Sequence, residues 1–188
     1  SAILTVTYGW SFVGGVTAAA LVGLILGLLV AGVSVRLSSH YLAIVTLGFA
    51  EIVRLFALNE TWLTRGPRGF PIDVRPLAGY FTSEAYGFFY LALSLAVVVI
   101  TFTVIELMAR SPYGRVLRGI RDDDVVMAGL GKHVLMFRLQ SFALGSMFMA
   151  IAGALYAHYI QNISPEHFTP MLAIYIWMAV IAGGSGNN

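Results

Sequence analysis

Glu51 and Arg54 stand three residues apart inside an otherwise apolar run, the first place in this sequence where residue type and spacing encode chemistry. On a helix that spacing puts a carboxylate and a guanidinium on one face, within reach of each other. Charges in a hydrophobic segment are costly unless they are paired or line a polar cavity. The pair is therefore either a site on a solute path or a structural clamp within a helix bundle. An intramembrane enzyme using Glu51 or His158 as acid or base would need paired catalytic groups at one depth, and the sequence instead sets Glu51 beside an arginine.

A second constellation lies between Ser111 and Gly131. Arg115, Arg118 and Arg121 recur at helical spacing as a basic face, and Val116, Leu117 and Ile120 form an apolar one. Asp122, Asp123 and Asp124 are placed to cap a following short helix, whose positive N-terminal dipole favours acids, and Gly131 is placed to end it. Two short amphipathic helices in a loop suit a docking surface for a cytoplasmic partner. The same basic residues would also serve as a plain orientation anchor.

Several chemistries have no residues to carry them. There is no cysteine, which removes disulfides, thiolate metal sites and Cys nucleophiles. His40, His133, His158 and His167 show no metal-ligand spacing and read as interfacial polar residues, so no metal is expected. The stretch from Gly129 to His133 resembles the end of a phosphate-binding loop, but Val126 replaces its first glycine and His133 its magnesium-binding hydroxyl. No nucleophile elbow is present.

The elements that must position these residues are membrane helices. Of 188 residues 59% are hydrophobic and 11% charged, against roughly 25% charged in a soluble domain. Nothing charged occurs from Ser1 to Val35, and only Glu106 interrupts Ala85 to Ala109, runs longer than the roughly 20 residues that cross a bilayer core. Long apolar runs mean helices and not a barrel of short alternating strands. The expected fold is an all-α, polytopic transmembrane helical bundle. It has about five spans: Gly9 to Val35, Tyr41 to Leu58, Ala85 to Ala109, Val134 to Ile160, and Pro170 to Ile181 or beyond.

The sequence pI is near 9.0, yet the net charge is only +2, which gives no nucleic-acid reading. Six of the eleven basic residues fall between Arg110 and Arg138, and by the positive-inside rule that loop is cytoplasmic. Residues 110–133 then form a cytoplasmic loop and residues 59–84 an external one. The external loop contains a Gly- and Pro-rich turn from Leu63 to Ile72 whose Arg65 and Arg68 could attract a carboxylate or an acidic protein surface. Within the first span Gly15, Ala19, Gly23, Gly27 and Ala31 recur every fourth residue, a stripe that lets helix backbones approach closely. Ser146, Ala150 and Ala154, beside Gly145 and Gly153, repeat the theme in the fourth span.

Four stretches together resemble one family. They are Tyr41 to Leu55, the Leu63 to Ile72 turn, Ser111 to Gly131, and Phe142 to Pro165 with its Ala152-Gly153-Ala154-Leu155-Tyr156-Ala157 and Ile163-Ser164-Pro165-Glu166 segments, followed by Gly183-Gly184-Ser185-Gly186. In this order they are similar to the permease subunits of branched-chain amino acid ABC importers, specifically the LivM-type half. The resemblance implies that residues 1–188 are part of a longer permease transmembrane domain in a bacterial or archaeal inner membrane. It implies three kinds of partner besides the lipid bilayer: a second permease subunit, two cytoplasmic ATPase subunits, and an extracytoplasmic solute-binding protein. ATP and Mg would be bound by those ATPases, with no cofactor in this chain. Asp122 to Gly131 matches the position of the family's coupling loop, and related permeases carry urea, short amides or sugars. A membrane scaffold docking a cytosolic protein is the remaining alternative.

Overall fold

The computed structural model describes residues 1–34, 39–60, 69–72, 83–164 and 168–183. Each of the five expected apolar runs is a helix: α2 (Phe12–Ser34), α3 (Ser39–Asn59), α4 (Ser83–Arg110), α7 (Val134–Ile160) and α8 (Pro170–Gly183). Ahead of them lies α1 (Ala2–Tyr8), and between α4 and α7 come α5 (Pro112–Asp122) and α6 (Asp124–Gly129). The helices Phe12–Val33, Ala85–Arg110 and Val134–Ile160 are long and apolar enough to cross a membrane. Their wide apolar surfaces, Leu21, Leu29, Val98 and Phe102 among them, are exposed on the isolated chain, as expected of faces that meet lipid or further helices. The protein is an all-α, multi-pass membrane protein.

The seam between α2 and α7 is the closest contact in the bundle. A Cβ added to Gly23 would collide with the Ala150 methyl, and it would lie 2.9 Å from the Ser146 carbonyl oxygen. One added to Gly27 would lie 2.6 Å from both Cβ and Oγ of Ser146 and 3.2 Å from Cα of Ala143. Ala31, one turn on, is completely buried. Hydrocarbon tails are as apolar as the helices, so close van der Waals packing must hold the pair, and only small residues allow it. The two small-residue stripes meet at Gly23, Gly27, Ser146 and Ala150, and the descending numbers on α7 make the helices antiparallel.

The stripe does not act as one surface along its whole length. Gly9 takes a left-handed conformation (φ 65, ψ 22) and separates α1 from α2, so the charge-free opening run is two helices and not one. Gly15 then packs against Thr5 of α1, its absent Cβ only 2.7 Å from the Thr5 methyl, while Thr5 returns its hydroxyl to the Ala2 carbonyl at 3.1 Å. Ala19 faces the cavity described below.

A departure from pure helix stitches one end of the bundle. Strand β1 (Phe70–Pro71) pairs antiparallel with β2 (Asn162–Ile163), Phe70 opposite Ile163 and Pro71 opposite Asn162. The Ile72 amide donates to the Gln161 carbonyl at 2.6 Å, and the Ile72 side chain is buried with Ala2 and Ala157. Gly69, at φ +67, sits so close to the Ile163 carbonyl that a side chain would not fit. Leucine or alanine there would also be strained by its backbone angle. On the same end Tyr90 of α4 donates its hydroxyl to the Leu155 carbonyl of α7 at 2.6 Å and stacks against Tyr159. The expected turn residues Arg65 and Arg68, the Pro165-Glu166 pair, His167 and the Gly184-Ser185-Gly186 segment lie outside the described residues.

Candidate functional site

Near the β1–β2 end the chain borders an open-sided cavity of about 600 Å³, within the range of small-molecule sites. Its walls are mostly methyl-sized: Ala19 from α2, Ala50 and Ala57 from α3, and Gly153, Ala154 and Ala157 from α7, with Ile163 and Ser164 at the ladder. Helices α2 and α7 touch at Gly23 and Gly27, and the space opens beyond that contact, where α1 begins and α3 passes. Among the described residues Arg54 is the one charged side chain on the wall.

The geometry of the Arg54 side chain is set by Glu51. Its Nε donates to Glu51 Oε2 at 2.9 Å and its Nη2 to Oε1 at 2.5 Å, a two-point fork between residues one turn apart on α3. Such a fork fixes the guanidinium plane as well as its position. Arg54 lies five residues before the end of α3, about 7 to 8 Å along the helix axis from it. The pair is therefore in the terminal part of its span and not at its middle. His158, the other group considered for acid–base chemistry, does not line this cavity. At 1% exposure it is buried, with Nδ1 2.8 Å from the Ala154 carbonyl and its ring edge-on to Phe12. Neither Glu51 nor His158 is among the residues that line this cavity.

At the opposite end of the bundle α5 and α6 form an elbow between α4 and α7. Ser111 ends α4, its hydroxyl donating to the Met108 carbonyl at 2.6 Å, and Pro112 opens α5 where a missing amide costs nothing. Gly114 is pressed against the Ala109 carbonyl, and Arg118 donates to the same oxygen at 3.2 Å. Tyr113 stacks on Phe137 of α7 with ring centroids 5.5 Å apart, and burial pushes its phenol pKa up. Ile120 turns inward while Arg115, Arg118 and Arg121 remain exposed, the division read from the sequence.

The three aspartates do three different things. Asp122 is the exposed last residue of α5. Asp123 is the N-cap of α6, its carboxylate accepting from the amides of Val125 at 2.9 Å and Val126 at 3.0 Å. Asp124 pairs with Arg138 of α7 at 2.7 Å, which ties the short helix to a long one. Beyond α6, Gly131 is left-handed at φ +75 and donates to the Ala128 carbonyl at 3.0 Å, and Lys132 donates to the Met127 carbonyl at 3.1 Å. This is the paired-bond ending that glycine favours. Met127 fills the notch over Gly119, so the two short helices interlock.

Held in this way, α6 presents its apolar residues outward. Val125 is 76% exposed, Val126 55% and Leu130 68%, beside the arginines of α5. Val125 and Val126 stand within the stretch that the resemblance matches to the coupling loop; what only the structure adds is that they and Leu130, the C-cap of α6, face outward.

The sequence profile of the family described as "Branched-chain amino acid transport system / permease component" matches residues 1–188. The chain belongs to that permease family. Among similar proteins, the high-affinity branched-chain amino acid transport system permease protein LivM of Salmonella typhimurium strain LT2 is 33% identical over 210 aligned residues, which cover all of this chain and 49% of that protein. LivM of Escherichia coli K12 is 32% identical with the same coverage. A probable LivM of Methanocaldococcus jannaschii is 28% identical over 90% of this chain. These relatives are named as transport permeases and not as enzymes, and the chain spans about half of their length. No solved structure matches it. In this permease the elbow and the cavity lie at opposite ends of α7.

Proposed function

We propose that this chain is the membrane-spanning part of a permease subunit in an ATP-driven importer for branched-chain amino acids, working in a bacterial or archaeal inner membrane. It forms the translocation pathway with a second permease subunit, receives solute from an extracytoplasmic binding protein at the β1–β2 end, and engages cytoplasmic ATPases at the elbow. Family membership over residues 1–188 and the printed names of the relatives support the transport reading. The basic residues of the elbow support its cytoplasmic placement.

One observation carries the coupling role. Val125, Val126 and Leu130 project from a helix fixed at its start by the Asp123 cap, at its side by Asp124–Arg138 and at its end by Gly131. Exposed apolar groups on a rigid, polar-flanked support suit insertion into a cleft of a partner, with Arg115, Arg118 and Arg121 at its rim. Movement of that partner then passes to α7 through Arg138 and to α4 through Gly114.

The test uses the full-length subunit reconstituted in vesicles with its partner chains. Val125→Asp, which changes no contact within the elbow, is expected to lower leucine uptake by about tenfold, the effect of losing a central interface contact. Membrane insertion should be unchanged and ATP hydrolysis no longer stimulated by loaded binding protein. Unchanged uptake together with unchanged stimulation would remove the coupling assignment.

A further inference from the structure

The cavity has a chemical character that the transport reading does not supply by itself. One guanidinium, oriented by a carboxylate, faces a space whose other described walls are alanines, a glycine and larger apolar side chains such as Val53 and Phe168, with two serines. An uncharged solute such as urea or a sugar could accept a hydrogen bond from the arginine but offers it no charge to pair with, and beyond Ser1 and Ser164 the described walls give it few polar partners. A purely aliphatic ligand would gain nothing from the arginine. An aliphatic amino acid matches both parts: an α-carboxylate for the guanidinium, and a branched side chain for the apolar walls. We propose that this cavity is a recognition site for the transported amino acid, with Arg54 receiving its carboxylate, the wall around Gly153, Ala154 and Ala157 receiving its side chain, and Glu51 positioning Arg54. The inference rests on the transport reading and adds to it a place and a set of residues.

Location supports the assignment. Arg54 lies within two turns of the end of α3, and the cavity is bounded by the ladder residues Ile163 and Ser164, so the site is at the end where solute enters in an importer. Gly153 has no packing contact to explain it among the described residues: a Cβ there would meet nothing within 4 Å, whereas the same addition at Gly23 or Gly27 collides.

Gly153 accordingly provides the test, because it lines the cavity and a Cβ added there meets nothing within 4 Å. In vesicles holding the full-length complex and saturating binding protein, Gly153→Leu is expected to lower leucine uptake by about tenfold, and valine uptake by less. Its melting temperature should match that of the unmodified complex, and Gly153→Ala should retain uptake. Arg54→Lys keeps the charge but loses the two-point fork, and it should lower uptake of both amino acids. Glu51→Gln, which leaves Arg54 in place but less firmly oriented, should lower uptake less than Arg54→Lys, and Glu51→Asp should restore part of it. A Gly153→Leu complex that transports normally would overturn the site while leaving the transport reading intact. Loss of uptake accompanied by a clearly lowered melting temperature would also overturn it, because another segment of the protein would then fill the cavity. An unmodified complex that takes up no branched-chain amino acid would overturn the transport reading and the site with it.

Discussion

Helix α7 carries one pattern of small residues and uses it in two opposite ways. At Ala143, Ser146 and Ala150 it meets glycines of α2, and the backbones approach until no side chain fits between them. Two turns later, at Gly153, Ala154 and Ala157, equally small residues border a cavity of about 600 Å³. The difference lies in the partner. Where the facing helix also offers glycine, smallness becomes contact, which is how helices associate without a hydrophobic drive. Where α1 begins and α3 passes with alanines and an arginine, smallness becomes room. A small-residue stripe therefore specifies a narrow helix surface and leaves open whether another helix or a solute occupies it.

The seam half of this contrast should break most severely. Gly27→Leu places a branched side chain where Ser146 and Ala143 leave no space. Overpacking of that kind is expected to cost more than about 3 kcal/mol, read as a large drop in the thermal midpoint of the purified full-length subunit or as failure to accumulate in the membrane. Gly23→Ala is milder: its single methyl must displace the Ala150 methyl and crowd the Ser146 carbonyl, for about 1 to 3 kcal/mol. A near-normal midpoint for Gly27→Leu would mean that α2 and α7 can separate freely, and the distinction between seam and cavity would disappear.

Much of this was legible in the residues. The five apolar runs, the Glu51–Arg54 pair, the inward and outward faces of α5 and the glycine ending of α6 all follow from local rules of period, spacing and capping, and the structure contains each. What the sequence could not assign depends on which element stands opposite. Gly15 looks identical to Gly23 in the stripe, yet it serves α1, because Gly9 turns the chain back and no periodicity signals that reversal. His158 looks like an interfacial histidine near a helix end, yet Phe12 of another helix covers it. Asp122, Asp123 and Asp124 are chemically equal, and only the position of Arg138, fourteen residues beyond Asp124, decides which forms the tie. The β1–β2 ladder joins segments some ninety residues apart through two residues each, too short for any alternation to be read.

The smallest expected effect is the most discriminating, because it turns on sign and not on size. Glycine within a helix is less favourable than alanine by about 0.8 to 1 kcal/mol, since alanine has less backbone freedom to lose. At Gly153 the added methyl meets nothing within 4 Å, so Gly153→Ala retains that gain and should raise the thermal midpoint slightly. At Gly23 the same substitution receives the same helical gain and loses it to the collision with Ala150, so the midpoint should fall. Two identical chemical changes on neighbouring helices then move stability in opposite directions. If both lower it, the space beside Gly153 is filled in the complete protein. If both raise it, the seam is looser than the contacts of Gly23 and Gly27 require.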